Sequence, residues 1–196
     1  MNASNQEVSA AQIIESLSMV YGLKSLPRAG WIQSGVPGDD VESVASHSYG
    51  MSVIILYLSH VLEEKGIDVD RCLRMALVHD MAEALTGDKT PEDGISPVEK
   101  YTQESNALDK ILKDLANPEE FRGLWEEFEA GETPEAQLVR RVDKLDMMIQ
   151  AFLYEKTFNI RLDSFWKGID SLFQDTESES IFNYLSNNRF EVESLE

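Results

Sequence analysis

The stretch that decides the predicted fold is Met75-Ala76-Leu77-Val78-His79-Asp80-Met81-Ala82-Glu83. Its apolar residues predict a largely buried helix, which we place over residues 69–85. Three ionisable groups interrupt this helix, namely His79, Asp80 and Glu83. Burying such groups costs on the order of several kcal/mol unless they are paired or bound to a metal. At about 3.6 residues per turn, His79 and Glu83 lie on one helix face. The stretch therefore indicates a metal site inside a helical protein.

His47 and Asp143 are the other two candidate metal ligands. His47 lies near the start of a predicted helix over residues 41–65, and Asp143 lies in the helix that Thr133-Pro134 opens. Two imidazoles and two carboxylates form a mixed nitrogen and oxygen ligand set. Such a set suits Mn, Fe, Co or Zn better than Ca, leaves positions open for water and substrate, and keeps Mg possible. We therefore predict one divalent transition metal per chain.

His60 and Asp146 are the neighbours of these ligands that need a separate interpretation. His60 follows His47 by 13 residues, which places it about 220° around the same helix. Since the two histidines cannot face one site, we predict that His60 is a surface or packing residue. Asp146 lies one turn beyond Asp143 and could support a ligand or simply pair with Lys144.

The rest of the sequence also predicts helices. Residues 22–40 are an exception, because four glycines and two prolines make them a long loop. A loop of this length in a compact domain is uncommon unless it has a function. The other predicted helices span residues 8–21, 96–115, from 117–118 onward, 133–156, 161–173 and 177–187.

Length and composition predict one domain. The chain has 196 residues, of which 42% are hydrophobic, and this suffices for a sizeable core without disulfides. We assign residues 1–196 to a single domain with a core at about 17–175 and a short acidic C-terminal tail. The single cysteine, Cys72, is interpreted as a buried and inert thiol, which suits a reducing compartment.

The charge of the chain excludes several partner classes. The formal net charge is −19, with 36 acidic and 17 basic residues, which argues against nucleic acid and against anionic membrane surfaces. A small anionic substrate remains compatible if a metal and a few cations reverse the field in one cleft. We see no signal peptide in residues 1–7 and no apolar run of the ~20 residues that span a bilayer. A cytoplasmic protein is therefore expected.

Taken in order, His47, His79-Asp80 and Asp143 resemble the H…HD…D signature of the HD-domain superfamily of metal-dependent phosphohydrolases. Around it, residues 26–31 (LPRAGW), 41–48 (VESVASHS) and 79–88 (HDMAEALTGD) resemble the 5′-deoxynucleotidase branch. The resemblance covers roughly residues 17–156. One departure is Ser46, because the family often has glutamate before its first histidine. The resemblance implies an all-α HD-domain helical bundle.

The resemblance also implies roles for individual residues. His47, His79, Asp80 and Asp143 match the metal ligands, and Glu83 matches the catalytic carboxylate that handles the proton of the attacking water. Three further matches concern the substrate. Arg28 matches an arginine that contacts the phosphate, Trp31 matches a residue that packs beside the sugar, and Asp88 matches a carboxylate that reaches a sugar hydroxyl. Each has an alternative. Arg28 could be an exposed loop cation, Trp31 an anchor of the loop, Asp88 a cap of the Thr86-Gly87 turn, and Glu83 an ion-pair partner.

The implied activity is hydrolysis of deoxyribonucleoside 5′-monophosphates to deoxyribonucleoside and phosphate by a homodimer. A related alternative is another HD-type hydrolase acting on a cyclic or polyphosphorylated nucleotide. A nucleotide-binding protein without turnover is a second alternative. Loss of a metal ligand or of Glu83 would indicate it, and the sequence retains all of them. An HD-type oxygenase is a third, but it needs a second metal, which three histidines hardly supply.

Overall fold

The computed structural model describes residues 8–189 and confirms the predicted all-helical fold class. Its helices are α1 (Ala10–Val20), α2 (Ala29–Gln33), α3 (Val44–Glu64), α4 (Val69–Val78), α5 (Glu83–Thr86), α6 (Pro97–Leu112), α7 (Pro118–Ala130), α8 (Pro134–Phe158), α9 (Asp163–Trp166), α10 (Asp170–Phe173) and α11 (Glu179–Asn187). Residues 1–7, searched above for a signal peptide, and residues 190–196 of the acidic tail lie outside the described range.

Capping residues set the starts of the long helices. Ser96 accepts a hydrogen bond from the backbone N–H of Glu99, directly before Pro97 opens α6. Thr133 caps α8 in the same way, through the backbone N–H of Ala136. Serine or threonine at the N-cap followed by proline in the first turn is the preferred helix start. Both starts were predicted from the sequence, as was the start of α7.

The helix predicted over residues 69–85 is wrong in its middle. α4 ends at Val78, and a turn leads from there into the short α5. In this turn the hydrogen bonds tighten from i→i−4 to i→i−3, as between the N–H of Met81 and the carbonyl of Val78 (2.9 Å) and between Glu83 and Asp80 (3.0 Å). Such tightening is the geometry of a 3₁₀ turn. His79 and Asp80 therefore lie in a turn, and not in the middle of a helix.

Three other predicted elements differ from the structure. Residues 22–40 are not an unstructured loop, because they contain α2 and two short 3₁₀ helices. α3 begins at Val44 and not at residue 41, since Ser43 caps it and residues 26–28 pair with residues 42–44 through backbone hydrogen bonds. The helix predicted over residues 161–173 is divided into α9 and α10, with Gly168 between them at a φ of +73°.

The long helix α8 joins two hydrophobic clusters. Its N-terminal half packs with α3, α4 and α7 around Leu138 and Val142. Its C-terminal half packs with α2 and the C-terminal helices around Leu145 and Met148. Asp143 lies between these halves and faces the turn after α4. None of the described helices is long and apolar enough to cross a membrane.

Candidate metal centre

Four predicted ligands from three separate elements meet at one place. His47 comes from α3, Asp143 from α8, and His79 and Asp80 from the turn after α4. The Nε2 atom of His47 lies 3.2 Å from Oδ1 of Asp143 and 3.9 Å from Oδ2 of Asp80. The Nε2 atom of His79 lies 3.0 Å from the same Asp80 oxygen. The structure thus brings together residues that are up to 96 positions apart in the sequence.

The two imidazoles present nitrogen atoms that fit a divalent cation. Nδ1 of His79 lies 2.9 Å from the carbonyl of Ala76, which can only accept, so this nitrogen carries the proton. Nδ1 of His47 lies 2.8 Å from a carboxylate oxygen of Asp146. The Nε2 atoms of both histidines are buried and have no hydrogen-bond partner. In the neutral ring, an Nε2 lone pair held in this way is suited to bind a metal.

The two carboxylates of the set are ionised. Burial would raise the pKa of Asp80, but the neighbouring His79 outweighs burial and holds this pKa well below its ordinary value. Burial also opposes ionisation of Asp143, and here the adjacent imidazole of His47 and the charge of Lys144 lower the pKa well below its usual range. Two anionic oxygens beside two imidazole nitrogens are the mixed set expected for a borderline divalent ion.

Asp146 supports His47 and does not pair with Lys144. The ammonium group of Lys144 instead lies 3.0 Å from Asp143. The carboxylate of Asp146 fits only because residue 50 on α3 is glycine, since a Cβ there would overlap it. Asp146, His47 and Glu42 also form a second cluster of possible ligand atoms. Its members are already engaged, Asp146 with His47 and Glu42 with the indole of Trp31.

We predict that Asp146→Asn weakens metal affinity by about 10- to 100-fold, the usual effect of removing a carboxylate that orients a ligating histidine. Gly50→Ala should weaken it too, because the added Cβ displaces the Asp146 carboxylate. The measurement is metal affinity by competition with a chelator of known strength, together with the thermal unfolding midpoint. Native affinity in a folded Asp146→Asn protein would show that His47 needs no such support.

A cavity of about 440 Å³ opens beside the four candidate ligands. This volume lies within the roughly 300–1,000 Å³ of small-molecule sites. The ligands His79, Asp80 and Asp143 form part of its wall. Its remaining polar wall carries Glu83, Arg28, Asp88, Lys89, Lys100, Lys144, Glu92, Glu104 and Glu129. Phe128, Met147 and Phe165 add apolar surface suited to the flat, partly apolar body of a small molecule.

Glu83 has the properties expected of a proton acceptor at this cavity. Its side chain is only 3% exposed, and Oε2 has no hydrogen-bond partner. Burial raises the pKa of Glu83 to about 10, and the charges of Asp80 and Asp88 add to the shift. A divalent cation bound beside Glu83 would lower this pKa, and the ionised carboxylate could then accept a proton. No described ion pair involves Glu83, so the ion-pair alternative gains no support from the structure.

Arg28 and Asp88 hold each other beside the ligands. The guanidinium of Arg28 lies 3.3 Å from Asp80 and 3.9 Å from Asp88, and its side chain is largely buried. Arg28 is therefore not the exposed cation of the alternative interpretation. Asp88 accepts a hydrogen bond of 2.6 Å from the backbone N–H of Ala29, at the start of α2. The hydrogen bond that the structure describes for Asp88 thus holds the residues next to Arg28 in place. It does not cap the turn at Thr86-Gly87.

Trp31 is more deeply buried than a residue that mainly contacts substrate. It is 2% exposed, and its indole N–H donates a hydrogen bond of 2.8 Å to Glu42. Its ring packs 5.4 Å from that of Tyr154 and 4.4 Å from that of Phe165. These contacts support the alternative in which Trp31 anchors its segment to the core. Trp31 also lines the cavity.

His60 is exposed to solvent and is not one of the residues that meet at this centre. Its side chain is 85% exposed, and its imidazole lies 3.5 Å from Glu64 on the same helix. The sequence interpretation missed the role of Gly50. A glycine three residues after His47, inside a helix, was the available signal for Gly50, because such glycines often permit a close approach.

Comparisons with known proteins agree with this geometry. A family model described as HD domain matches residues 20–180. The 5′-deoxynucleotidase hdd1 of Schizosaccharomyces pombe is 36% identical over 165 residues, which cover 81% of this chain and 78% of that protein. The human 5′-deoxynucleotidase HDDC2 is 39% identical over 150 residues, 74% of this chain and 70% of that protein. A crystal structure from Pyrococcus horikoshii is 40% identical, with a TM-score of 0.73 and coverage of 89% and 96%.

Proposed function

The chain belongs to the HD domain family, and from this premise we propose that it is a metal-dependent 5′-deoxynucleotidase. It converts deoxyribonucleoside 5′-monophosphates to deoxyribonucleosides and phosphate. The observation that carries the proposal is the pair of buried Nε2 atoms of His47 and His79, which lack partners and face two ionised carboxylates at the wall of one cavity. The curated relatives named 5′-deoxynucleotidase match most of the chain and support the substrate class.

The residues of the cavity divide the work of the reaction. His47, His79, Asp80 and Asp143 would hold a divalent ion, which would supply Lewis acidity to a bound water and to a phosphoryl oxygen. Glu83 orients the attacking water and takes its proton. The guanidinium of Arg28 contacts the nonbridging phosphate oxygens, since its planar fork matches their geometry.

The cavity also offers a dianion what the protein surface does not. The chain carries a net charge of −19, which repels a phosphate over most of the surface. Four cations nevertheless line this cavity: Arg28, Lys89, Lys100 and Lys144. Together with a divalent ion they offset most of the negative charge of the carboxylates on the cavity wall. The proposal also includes a contact between Asp88 and a sugar hydroxyl. It places Trp31 beside the sugar.

The test is release of inorganic phosphate from a panel of mono-, di-, tri- and cyclic nucleotides. We expect turnover of deoxyribonucleoside 5′-monophosphates, slower turnover of ribonucleotides and 3′-monophosphates, none after chelation, and recovery with Co or Mn. Full activity in excess chelator with no metal bound would refute metal dependence. Preference for a cyclic or polyphosphorylated nucleotide would favour the related hydrolase, and binding without turnover would favour a regulator.

We propose that the protein is a homodimer, as the family resemblance predicts. One face of α3 supports this, because Tyr49, Leu56, Tyr57 and Val61 are large apolar side chains exposed to solvent. An apolar surface of this kind marks a contact site more often than free surface. Tyr57, at 87% exposed, contributes least to the fold of one chain.

Light scattering after size exclusion should give twice the 22.1 kDa chain mass, and Tyr57→Glu should give the monomer mass with an unchanged circular dichroism spectrum. The reason is that a buried charge at a dimer contact is costly, whereas the same charge on a free surface is not. Native protein eluting at 22.1 kDa over a wide range of concentrations would contradict the dimer.

We further propose that the partner is a small nucleotide in the cytoplasm, and not nucleic acid or a membrane. The buried Cys72, the single cysteine of the sequence, supports a reducing compartment. The excess of acidic residues supports the exclusion of nucleic acid.

A further inference from the structure

Lys100 and Glu104 line the cavity from α6, and beyond its share in the local positive charge Lys100 has no assigned contact. The ammonium nitrogen of Lys100 lies 3.4 Å from Oε1 of Glu104. Glu104 is only 6% exposed, and this oxygen is buried without a hydrogen-bond partner. A buried carboxylate therefore holds a half-buried lysine at the wall of a cavity that already contains Glu83.

The requirements of the helix do not explain this lysine. Lys100 is the fourth residue of α6, and the positive end of the helix dipole disfavours a cation in the first turn. Its partner lies four residues later, and lysine before glutamate is the weaker of the two orders for such a pair. A residue that breaks local rules in an otherwise regular helix is expected at a functional site.

Lys100 is positively charged at neutral pH. Burial lowers its pKa, but Glu104, Glu83 and Asp80 outweigh burial and raise it, so the side chain remains an ammonium ion at neutral pH. Arg28, by comparison, already contacts Asp80 and Asp88. A dianionic group entering between seven carboxylates on the cavity wall needs more than one partly engaged cation.

We propose that Lys100 is a second phosphate-binding residue, which contacts the nonbridging oxygens of the substrate's phosphoryl group from the α6 wall. Its identity as a substrate contact rests on the proposed function, whereas its affinity for phosphate does not. Arg28 contributes a fixed planar fork from the α2 side, and Lys100 contributes a point charge from α6. Their chemistry fits a phosphomonoester, which has three nonbridging oxygens and two negative charges.

The test measures binding of inorganic phosphate to Mn-loaded full-length protein by calorimetry. Lys100→Met should weaken phosphate binding about tenfold or more, the scale of one charge-assisted hydrogen bond. Lys100→Arg should retain most of it. Lys110→Met is the matched control, because Lys110 lies exposed on the same helix and does not line this cavity. Binding of a deoxynucleoside, which has no phosphate, should be equal in all four proteins.

Two results would overturn the proposal. The first is native phosphate affinity in Lys100→Met with native metal content. The second is an equal loss for phosphate and for deoxynucleoside, which would show a general collapse of the cavity. Because calorimetry needs no turnover, a protein that binds phosphate through Lys100 but cleaves no deoxynucleotide would refute the proposed function and leave this inference intact.

Discussion

Replacing His79 or Asp143 by alanine is expected to remove the metal and to lower phosphate release by on the order of 10³-fold or more. The metal supplies several kcal/mol of transition-state stabilisation, and each tenfold in rate corresponds to about 1.4 kcal/mol. His79 presents a buried Nε2 that has no hydrogen-bond partner, and Asp143 is the candidate ligand on α8 that faces His47. Loss of either leaves the ion short of one donor from a rigid element.

His60→Ala is the matched control, since it removes an imidazole that is exposed on α3. It should keep native metal content and native turnover. Metal content is measured by elemental analysis on the same preparation as activity, and Asp143→Asn keeps the side-chain volume if the alanine variant unfolds. A metal-free His60→Ala protein, or a fully loaded and active His79→Ala protein, would show that the ligands were wrongly assigned.

The sequence predicted those parts of the fold that local chemistry determines. The starts of α6 and α8 could be read from Ser96-Pro97 and Thr133-Pro134, because an N-cap and a first-turn proline act within one turn of helix. That His60 does not share a site with His47 followed from helical phase alone. These predictions needed no knowledge of which helices touch.

The turn at residues 79–82 could not be predicted in this way. Residues 75–85 contain no glycine or proline, and their apolar pattern continues through the turn. The change to i→i−3 hydrogen bonds lets Asp80 face His47 on α3 and His79 face the cavity. The reason for the break is thus a contact with another helix, which periodicity in one segment does not encode.

The sequence also did not show which distant residues hold the candidate ligands in place. The hydrogen bond between His47 and Asp146 joins positions 99 residues apart and depends on the packing of α3 against α8. Trp31 was matched to a position beside the sugar by resemblance, and in the structure it lines the cavity and also packs against Tyr154 and Phe165. Only tertiary structure separates a residue that contacts substrate from one that holds the contacting segment in place.

Glu83→Ala is expected to separate metal binding from chemistry. The ligand atoms of His47, His79 and Asp80 lie close together, and Asp143 lies 3.2 Å from His47. Glu83 has no such short contact with either histidine, and its buried Oε2 has no hydrogen-bond partner at the cavity wall. Its expected task is to accept the proton of the attacking water. Removing it should leave folding and metal stoichiometry nearly native and lower turnover by about 10² to 10⁴, the usual scale for one general acid–base group.

Substrate binding by Glu83→Ala should persist and even tighten slightly, because a negative charge beside the phosphate site is removed. The decisive measurements are metal stoichiometry and phosphate release on one preparation, with Glu83→Gln as the variant that keeps the shape of the side chain. Loss of metal in both variants would make Glu83 a ligand. Native turnover with metal retained would assign the proton to another carboxylate of the cavity. Asp146 is not a candidate for that task, since its carboxylate is bound to His47 and lies outside the cavity wall.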